Sequence, residues 1–260
     1  MARMEFLEIS NATVWRGEIA ALADFSLKLR ESGSVAILGP NGAGKSTFLK
    51  LLAGELRPEA GGVCRLFGEE LWSLEELRHR IGVVMPEEVA RFEDWELSSD
   101  VVLSSLRGAY GRTRHMRFSD EEKSRAHQAM DLMGVCHLRG RSFGALSSGE
   151  KRRFLIARAI VHDPGVLVLD EPSTALDFPA ALQLSNTLRG LMRSGRTLVW
   201  VTHHPGEIPP EIDRVILLKK GRVFADGPKR EILTSRVLAR LYETDLKVRW
   251  SGEWCDVRFD

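Results

Sequence analysis

Val35-Ala36-Ile37-Leu38-Gly39-Pro40-Asn41-Gly42-Ala43-Gly44-Lys45-Ser46-Thr47 passes without a break from an apolar tetrapeptide into a glycine-rich turn. The tetrapeptide reads as a short buried strand, and Thr47-Phe48-Leu49-Lys50-Leu51-Leu52 supplies a helix after it. Gly39, Gly44, Lys45 and Ser46 fill the pattern G-x-x-x-x-G-K-[ST]. Glycines let backbone N–H groups close around a phosphate, the Lys45 ammonium neutralises phosphate oxygens, and the Ser46 hydroxyl is a ligand for Mg²⁺. The helix N-terminus adds backbone donors and the positive end of a dipole. The stretch therefore predicts a phosphate cradle.

Downstream, Val166-Leu167-Val168-Leu169-Asp170-Glu171 is a continuous apolar run ending in two carboxylates, as expected of a parallel strand buried on both faces. Carboxylates at the C-terminal edge of such a sheet face the ligand. Asp170 is then placed to hold Mg²⁺, and Glu171 to polarise an attacking water. Thr197-Leu198-Val199-Trp200-Val201-Thr202 repeats the pattern and ends in His203 and His204, one of which is a candidate contact for the terminal phosphate. Leu146-Ser147-Ser148-Gly149-Glu150 carries a capping box from Ser147 to Glu150 ahead of a helix, whose N-terminus is a second potential anion site.

Upstream, Phe6-Leu7-Glu8-Ile9 and Phe25-Ser26-Leu27-Lys28-Leu29 alternate as half-buried antiparallel strands do. Trp15 lies between them, and a tryptophan near a strand end serves more often as core than as a stack for a base. After the cradle the sequence predicts a strand at 63–68, a short helix over 74–78 and a strand at 81–85 that stops at Pro86. From there to residue 149 helix signals replace strands. One helix is expected from Leu97 to Leu106. A second opens on the capping box Ser119-Asp120-Glu121-Glu122, with Ala126, Ala129, Met130 and Met133 on one face and Gly134 as its stop. The basic stretch Arg107, Arg112, Arg114, His115 and Arg117 between them reads as a solvated loop. Beyond residue 202 come a hairpin around Lys219-Lys220-Gly221, a helix over Ser235 to Tyr242, and a small hairpin around Ser251-Gly252 to which no function is given.

These readings amount to one α/β domain with a helical lobe inserted in it, a size that 260 residues accommodate. The core is expected over 1–85 and 150–245, the lobe over 86–149 and a hairpin tail over 246–260. A net charge of +1 argues against a broad nucleic-acid-binding face, so no direct nucleic-acid partner is expected. The three cysteines are far apart and offer neither a disulfide framework nor a zinc site, which suits a reducing cytoplasm. No apolar run approaches the length of a membrane span, and the N-terminus lacks the apolar core of a signal peptide.

With the cradle, the Ser-Ser-Gly-Glu helix start, the Asp170-Glu171 strand end and His203 in this order, the sequence resembles the ATP-binding-cassette ATPases from end to end. Gly39 to Thr47 (with Pro40, Asn41, Gly42 and Ala43 inside it) looks like the Walker A motif, and Val166 to Glu171 like Walker B with its catalytic glutamate. Leu146 to Glu150 looks like the signature motif, Ser173-Thr174-Ala175-Leu176-Asp177 like the D-loop, and His203 like the switch histidine. Trp15 falls where the family's adenine-stacking aromatic is expected. The resemblance implies a RecA-like P-loop NTPase core with an antiparallel β lobe and a helical lobe. It also implies ATP and Mg²⁺ as ligands and a head-to-tail dimer of two copies. In that dimer Ser147, Ser148, Gly149, Glu150 and Asp177 of one subunit meet the nucleotide of the other.

The sequence departs from the family in two places. The signature has Ser148 and Glu150 where the family usually has glycine and glutamine. Pro86 stands where a glutamine is expected to touch Mg²⁺ and water. Proline has no side-chain ligand. Glu87 follows at once, and its carboxylate is the candidate replacement, against the plainer reading that Glu87 and Glu88 are both solvated loop acids. The resemblance implies an ATPase subunit that powers transport through separately encoded membrane subunits, held by them at the inner face of the membrane. The alternative is a soluble cassette ATPase acting on nucleic acid or ribosomes, or one with a regulatory role. That class resembles tandem cassettes or carries long coiled-coil inserts, and this chain has neither.

Overall fold

A computed structural model describes residues 5–174 and 176–258. The apolar run that opens the cradle becomes β3 (Val35–Leu38), and with β6 (Val166–Asp170) and β7 (Thr197–Thr202) it is buried at every position. Such strands are stable only when both faces of their sheet are covered. They form the middle of a six-stranded sheet in the order β5-β6-β7-β3-β8-β9, with β5 at Ile81–Val84, β8 at Arg214–Lys219 and β9 at Arg222–Pro228. The first five strands in that order are parallel and β9 is antiparallel to β8.

The period-two alternation of these strands divides the interior in two. Ala36, Leu38, Leu167, Leu169, Leu198, Trp200 and Leu217 face a core built from the helices α4 (Asp120–Leu132), α5 (Ser148–Ile160) and α6 (Phe178–Arg193). Val35, Ile37, Val166, Val168, Val199, Val201 and Ile216 face the other way, onto α1 (Lys45–Leu52) and an antiparallel sheet. That sheet runs β2-β1-β4, from β1 (Glu5–Arg16), β2 (Ile19–Arg30) and β4 (Val63–Leu66). The alternation of Phe6 to Ile9 and Phe25 to Leu29 was thus the visible part of two strands of 12 residues each. β4 ends earlier than the sequence predicts, because Phe67 and Gly68 turn away with φ of +49° and +86°. The helix predicted over 74–78 is α2 (Leu74–Arg80), which runs directly into β5.

Between β5 and β6 the chain is helical apart from an isolated bridge, Leu97 to Ser142. The expected helix from Leu97 to Leu106 is split into α3 (Ser98–Leu103) and a 3₁₀ turn over Ser104–Arg107. The cause is Arg158 on α5. Its guanidinium donates to the Val101 carbonyl at 2.7 Å, to Ser104 Oγ at 2.9 Å and to the Ala109 carbonyl at 2.6 Å. Val101 O is the acceptor that a continuing α-helix would offer to residue 105, so the helix tightens there. The basic stretch is not a loose loop either. Arg107 pairs with Glu122 at 2.6 Å and lies over Phe118, and Arg112 pairs with Asp100 at 3.0 Å. α4 begins and ends as the sequence predicts, between a reciprocal Ser119–Glu122 cap and Gly134 at φ +67°.

The C-terminal part comprises α7 (Lys229–Ile232), α8 (Ser235–Tyr242) and a hairpin of β10 (Lys247–Ser251) and β11 (Trp254–Arg258). Its β11 strand lies against the 3₁₀ turn Pro205–Glu207, just after the two histidines.

Arg158 is the buried tie between α5 and the turns around Ser104, and burial pulls its guanidinium down to about 10. Replacing it by methionine leaves two backbone carbonyls without their donor, each worth about 1–3 kcal/mol. Arg158→Met is expected to lower unfolding stability by roughly 3 kcal/mol, read as a shift of the urea midpoint with an unchanged slope.

Candidate functional site

Strand pairing brings the candidate residues together before any side chain is considered. Leu38 of β3 pairs with Thr202 of β7, and Val201 of β7 pairs with Asp170 of β6. The residues that follow, Gly39, His203 and Glu171, therefore emerge side by side at the carboxyl edge, where α/β sheets bind ligands.

The cradle has its glycines for steric reasons. A Cβ on Gly39 would lie 2.5 Å from the Leu218 carbonyl oxygen, and one on Gly44 would lie 2.7 Å from the Ala21 carbonyl, with φ +103° besides. Gly44 caps α1 without any side-chain acceptor, so the first N–H groups of that helix are left for a ligand. Lys45 is 8% exposed, and its ammonium donates to the carbonyls of Gly39 at 2.6 Å and Pro40 at 3.2 Å. Burial lowers its pKa, while the fields of Glu171 and Asp170 act to raise it. The result is a desolvated cation held at the floor of the turn.

Asp170 is buried, and its carboxyl is pushed up to about 6, first by desolvation and then by the neighbouring Glu171 charge. Its backbone carbonyl accepts from the Arg152 guanidinium of α5. Glu171 adopts a left-handed φ of +49°, fixed by its N–H to the Val201 carbonyl at 2.7 Å. That bend aims Glu171 Oε1 at His203 Nδ1, 2.6 Å away, while Thr174 Oγ1 donates to Oε2 at 3.2 Å. His203 is packed on the His204 ring, and its carbonyl accepts from Tyr242. Asn41, Gly42, Ala43, Gly44, Lys45, Ser46, Thr47, Asp170 and Glu171 line a cleft of about 580 Å³, which His203 adjoins through its bond to Glu171 without lining it.

The remaining expected residues are placed elsewhere. Ser147 caps α5 by accepting from Glu150 N at 3.3 Å, and Glu150 Oε2 accepts from Ser147 N at 2.7 Å. These bonds hold the Glu150 carboxyl below its usual range, so its charge is spent on the helix start. Ser147, Ser148, Gly149 and Glu150 do not line the cleft of their own chain. Gly149 meets Leu176, whose Cδ2 would lie 2.6 Å from a Cβ there, and Asp177 caps α6 by accepting from Ala180 N at 2.9 Å. Ala175, within the expected D-loop, lies outside the described residues.

Two expectations are corrected. Trp15 is not a core residue: it is 51% exposed, and its indole N–H donates to Glu59 Oε2 at 3.0 Å. The β1–β2 register is irregular on both sides of Val14, and beyond it Arg16 and Ile19 line the cleft. Glu88 is not a solvated acid. It is 8% exposed, accepts from Met85 N and Tyr110 Oη at 3.1 Å each, and closes a 3₁₀ turn that begins at Pro86. Glu87 is the outer of the two and pairs with Lys50 at 3.2 Å.

Sequence reasoning missed Arg16, Ile19 and Lys220 as cleft residues. For Lys220 a signal was present. The β8–β9 turn was read only as a hairpin, yet Gly221 N donates to the Ala43 carbonyl and Gly221 O accepts from Ala23 N, both at 3.0 Å, so the turn is docked on the cradle.

The raised Asp170 pKa has a definite sign. The folded chain holds this proton more tightly than the unfolded chain, so the stabilisation is complete below about pH 4 and is lost as pH rises through about 6. In EDTA and without nucleotide, Asp170→Asn is therefore expected to be more stable than wild type at pH 7 by up to about 3 kcal/mol. The gap should close by pH 4 in urea titrations.

The family model described as "ABC transporter" matches residues 22–174, more than half of the chain. The cobalt import ATP-binding protein CbiO of Rhodobacter capsulatus is 37% identical over 223 residues, covering 85% of this chain and 77% of that protein. A solved metal-chelate type ABC transporter in an inward-facing conformation superimposes with a TM-score of 0.77 at 27% identity, over 98% of this chain and 96% of that one. A dimeric ATP-binding cassette bound to ADP and Pi matches with a TM-score of 0.74 at 27% identity, over 86% of this chain and 99% of that one. On this match of family, relatives and geometry, the chain belongs to the ABC transporter ATP-binding proteins, nucleotide-binding ATPases that power transport.

Proposed function

We propose that the cleft takes ATP with Mg²⁺, that Lys45 and the α1 N-terminus hold its phosphates, and that Glu171 and His203 act at the terminal phosphate. The observation that carries this reading is the convergence of a desolvated Lys45, a buried Asp170 and the Glu171–His203 pair on three adjacent strand ends. Glu171 Oε1 bound to the histidine leaves Oε2 to accept a proton from water. The left-handed bend fixes that carboxylate's direction.

The donors suit a hard cation. Ser46 and Asp170 offer oxygens in the cleft and would hold Mg²⁺ there. When bound, Mg²⁺ would neutralise charge building on the phosphates. Glu87 is proposed as a further ligand: its charge already acts on Asp170, and it need only leave Lys50.

The chain's arrangement also fits a head-to-tail pair of copies, because the Ser147–Gly149 helix start stands away from its own cleft. The ADP- and Pi-bound cassette dimer supports that reading. In it, Ser147, Ser148, Gly149 and Glu150 meet the partner's nucleotide, with Asp177 near. Among the described residues no helix is long and apolar enough to cross a membrane. Membrane subunits on other chains are accordingly the proposed partners, with this chain held by them at the inner face. The proposed division is a core over 1–85 and 150–245, a helical lobe over 86–149 and a tail over 246–260.

Glu171→Gln is expected to bind ATP but to hydrolyse it at least about 100-fold more slowly. In sedimentation it should move from monomer to dimer on adding ATP, and Ser147→Arg in the same background should hold it as monomer. Wild-type turnover in Glu171→Gln would remove that residue from the role. For Glu87→Ala, the Mg²⁺ concentration giving half-maximal ATPase activity should rise several-fold while metal-free ATP binding stays constant; Glu88→Gln should change neither. Identical Mg²⁺ curves for wild type and Glu87→Ala would leave Glu87 as a partner of Lys50 alone.

A further inference from the structure

The helix α8 and the C-terminal hairpin stand behind the strand end that bears His203. The peptide group joining His203 to His204 is pinned at both ends: its carbonyl accepts from Tyr242 Oη at 3.3 Å, and its N–H donates to Thr202 Oγ1 at 3.0 Å. A peptide unit is planar, so holding both ends sets the backbone from which the His203 imidazole projects. Thr202 Oγ1 in turn donates to Glu207 Oε2 at 3.0 Å, in the 3₁₀ turn Pro205–Glu207.

Each end of that grip is anchored in the C-terminal part. Tyr242 is the last residue of α8, and Lys219 of β8 ties that helix end down, through the Arg240 carbonyl at 2.6 Å and Glu243 at 2.9 Å. Burial pushes the Tyr242 phenol up to about 12, so it keeps its proton and donates throughout the neutral range. The start of α8 is joined to the hairpin, where Val248 N donates to Ser235 Oγ at 2.9 Å. On the other side β11 backs the turn. A Cβ on Gly206 would lie 3.2 Å from the Cys255 carbonyl oxygen, and Cys255 is itself buried in the core.

We propose that Tyr242 is a positioning residue for His203, and that the C-terminal hairpin braces the turn that follows the histidine. The inference rests on the reading of His203 as a group acting at the terminal phosphate. Glu171 engages His203 Nδ1 at 2.6 Å, which leaves Nε2 for a ligand. A ring held by one carboxylate alone can still swing, whereas a ring on a fixed backbone is held in the geometry that a reacting phosphate requires. Tyr242 acts through a backbone carbonyl, so its loss is felt in turnover and not in nucleotide binding.

A double-mutant cycle read by steady-state ATPase kinetics tests this. His203→Ala is expected to lower kcat at least about 100-fold. Tyr242→Phe should lower kcat about 5-fold, the worth of one neutral hydrogen bond, with KM for ATP within about 2-fold of wild type. In the His203→Ala background the same substitution should change kcat by less than about 1.5-fold, because a residue acting through the histidine then has nothing to position. Gly206→Val sets a branched side chain against the Cys255 carbonyl, and should likewise slow turnover with the histidine present and not without it. Wild-type kcat in Tyr242→Phe, a raised KM with kcat unchanged, or equal losses in the two backgrounds would overturn the assignment of Tyr242. A loss in Gly206→Val that is indifferent to His203 would overturn the brace. Wild-type turnover in His203→Ala would refute the histidine's place at the phosphate, and the inference with it.

Discussion

A lysine taken out of water without a carboxylate against it is the constraint from which the carboxyl edge of this sheet follows. The Lys45 ammonium has two backbone carbonyls as its hydrogen-bond partners, while Asp170 and Glu171 act on it through their fields alone. Such a charge is costly to bury, and the carbonyls of Gly39 and Pro40 offset only part of the lost hydration. Presenting those carbonyls needs a turn that packs against Leu218 and Ala21 more closely than any side chain permits, which makes Gly39 and Gly44 obligatory. It also needs β7 beside the strand beneath the turn and β6 beyond that, the order that sets His203, Glu171 and Asp170 along the same edge. One unpaired cation thus fixes the glycines, the strand order and the acids.

Much of this was legible in the sequence because it depends on contiguous residues. The cradle, the mainly apolar β6 and β7 and the Ser119 and Ser147 capping boxes are local patterns, and each appears in the structure where its residues stand. What the sequence did not show depends on residues far apart in the chain. α3 is cut short by Arg158, more than fifty positions away, and no local propensity records that. Glu88 looked like half of a solvated pair, but Tyr110 and the Met85 amide bury it. Irregular pairing between β1 and β2 also breaks the period of two on which face assignments around Trp15 rest.

The replacement of glutamine by Pro86 is compensated as a matter of packing. Pro86 opens a 3₁₀ turn, Glu88 caps it, and Tyr110 joins Glu88 to Phe92 and the buried Arg158. Pro86 is thereby the first residue of a hydrogen-bonded turn that leads into the helical part of the molecule. Burial pushes the Glu88 carboxyl upwards, against the pull of its amide and hydroxyl donors and the nearby arginines, so this junction combines an acid and a base in one desolvated cluster. Such clusters favour a single arrangement over many, because any partial opening leaves a charge without its partner.

The bond from Arg152 to the Asp170 carbonyl bears on timing. Arg152 lies one turn into α5, the helix whose start is formed by Ser147 to Glu150, and its guanidinium grips the strand end that carries the acids. In the proposed head-to-tail pair, that helix start would answer to the neighbour's nucleotide while Arg152 stays on the strand end of its own chain. A displacement of α5 would then reach the acids of its own cleft through this one contact. Occupancy of the two pockets would become a shared variable, and the pair would respond to nucleotide concentration more steeply than two independent sites.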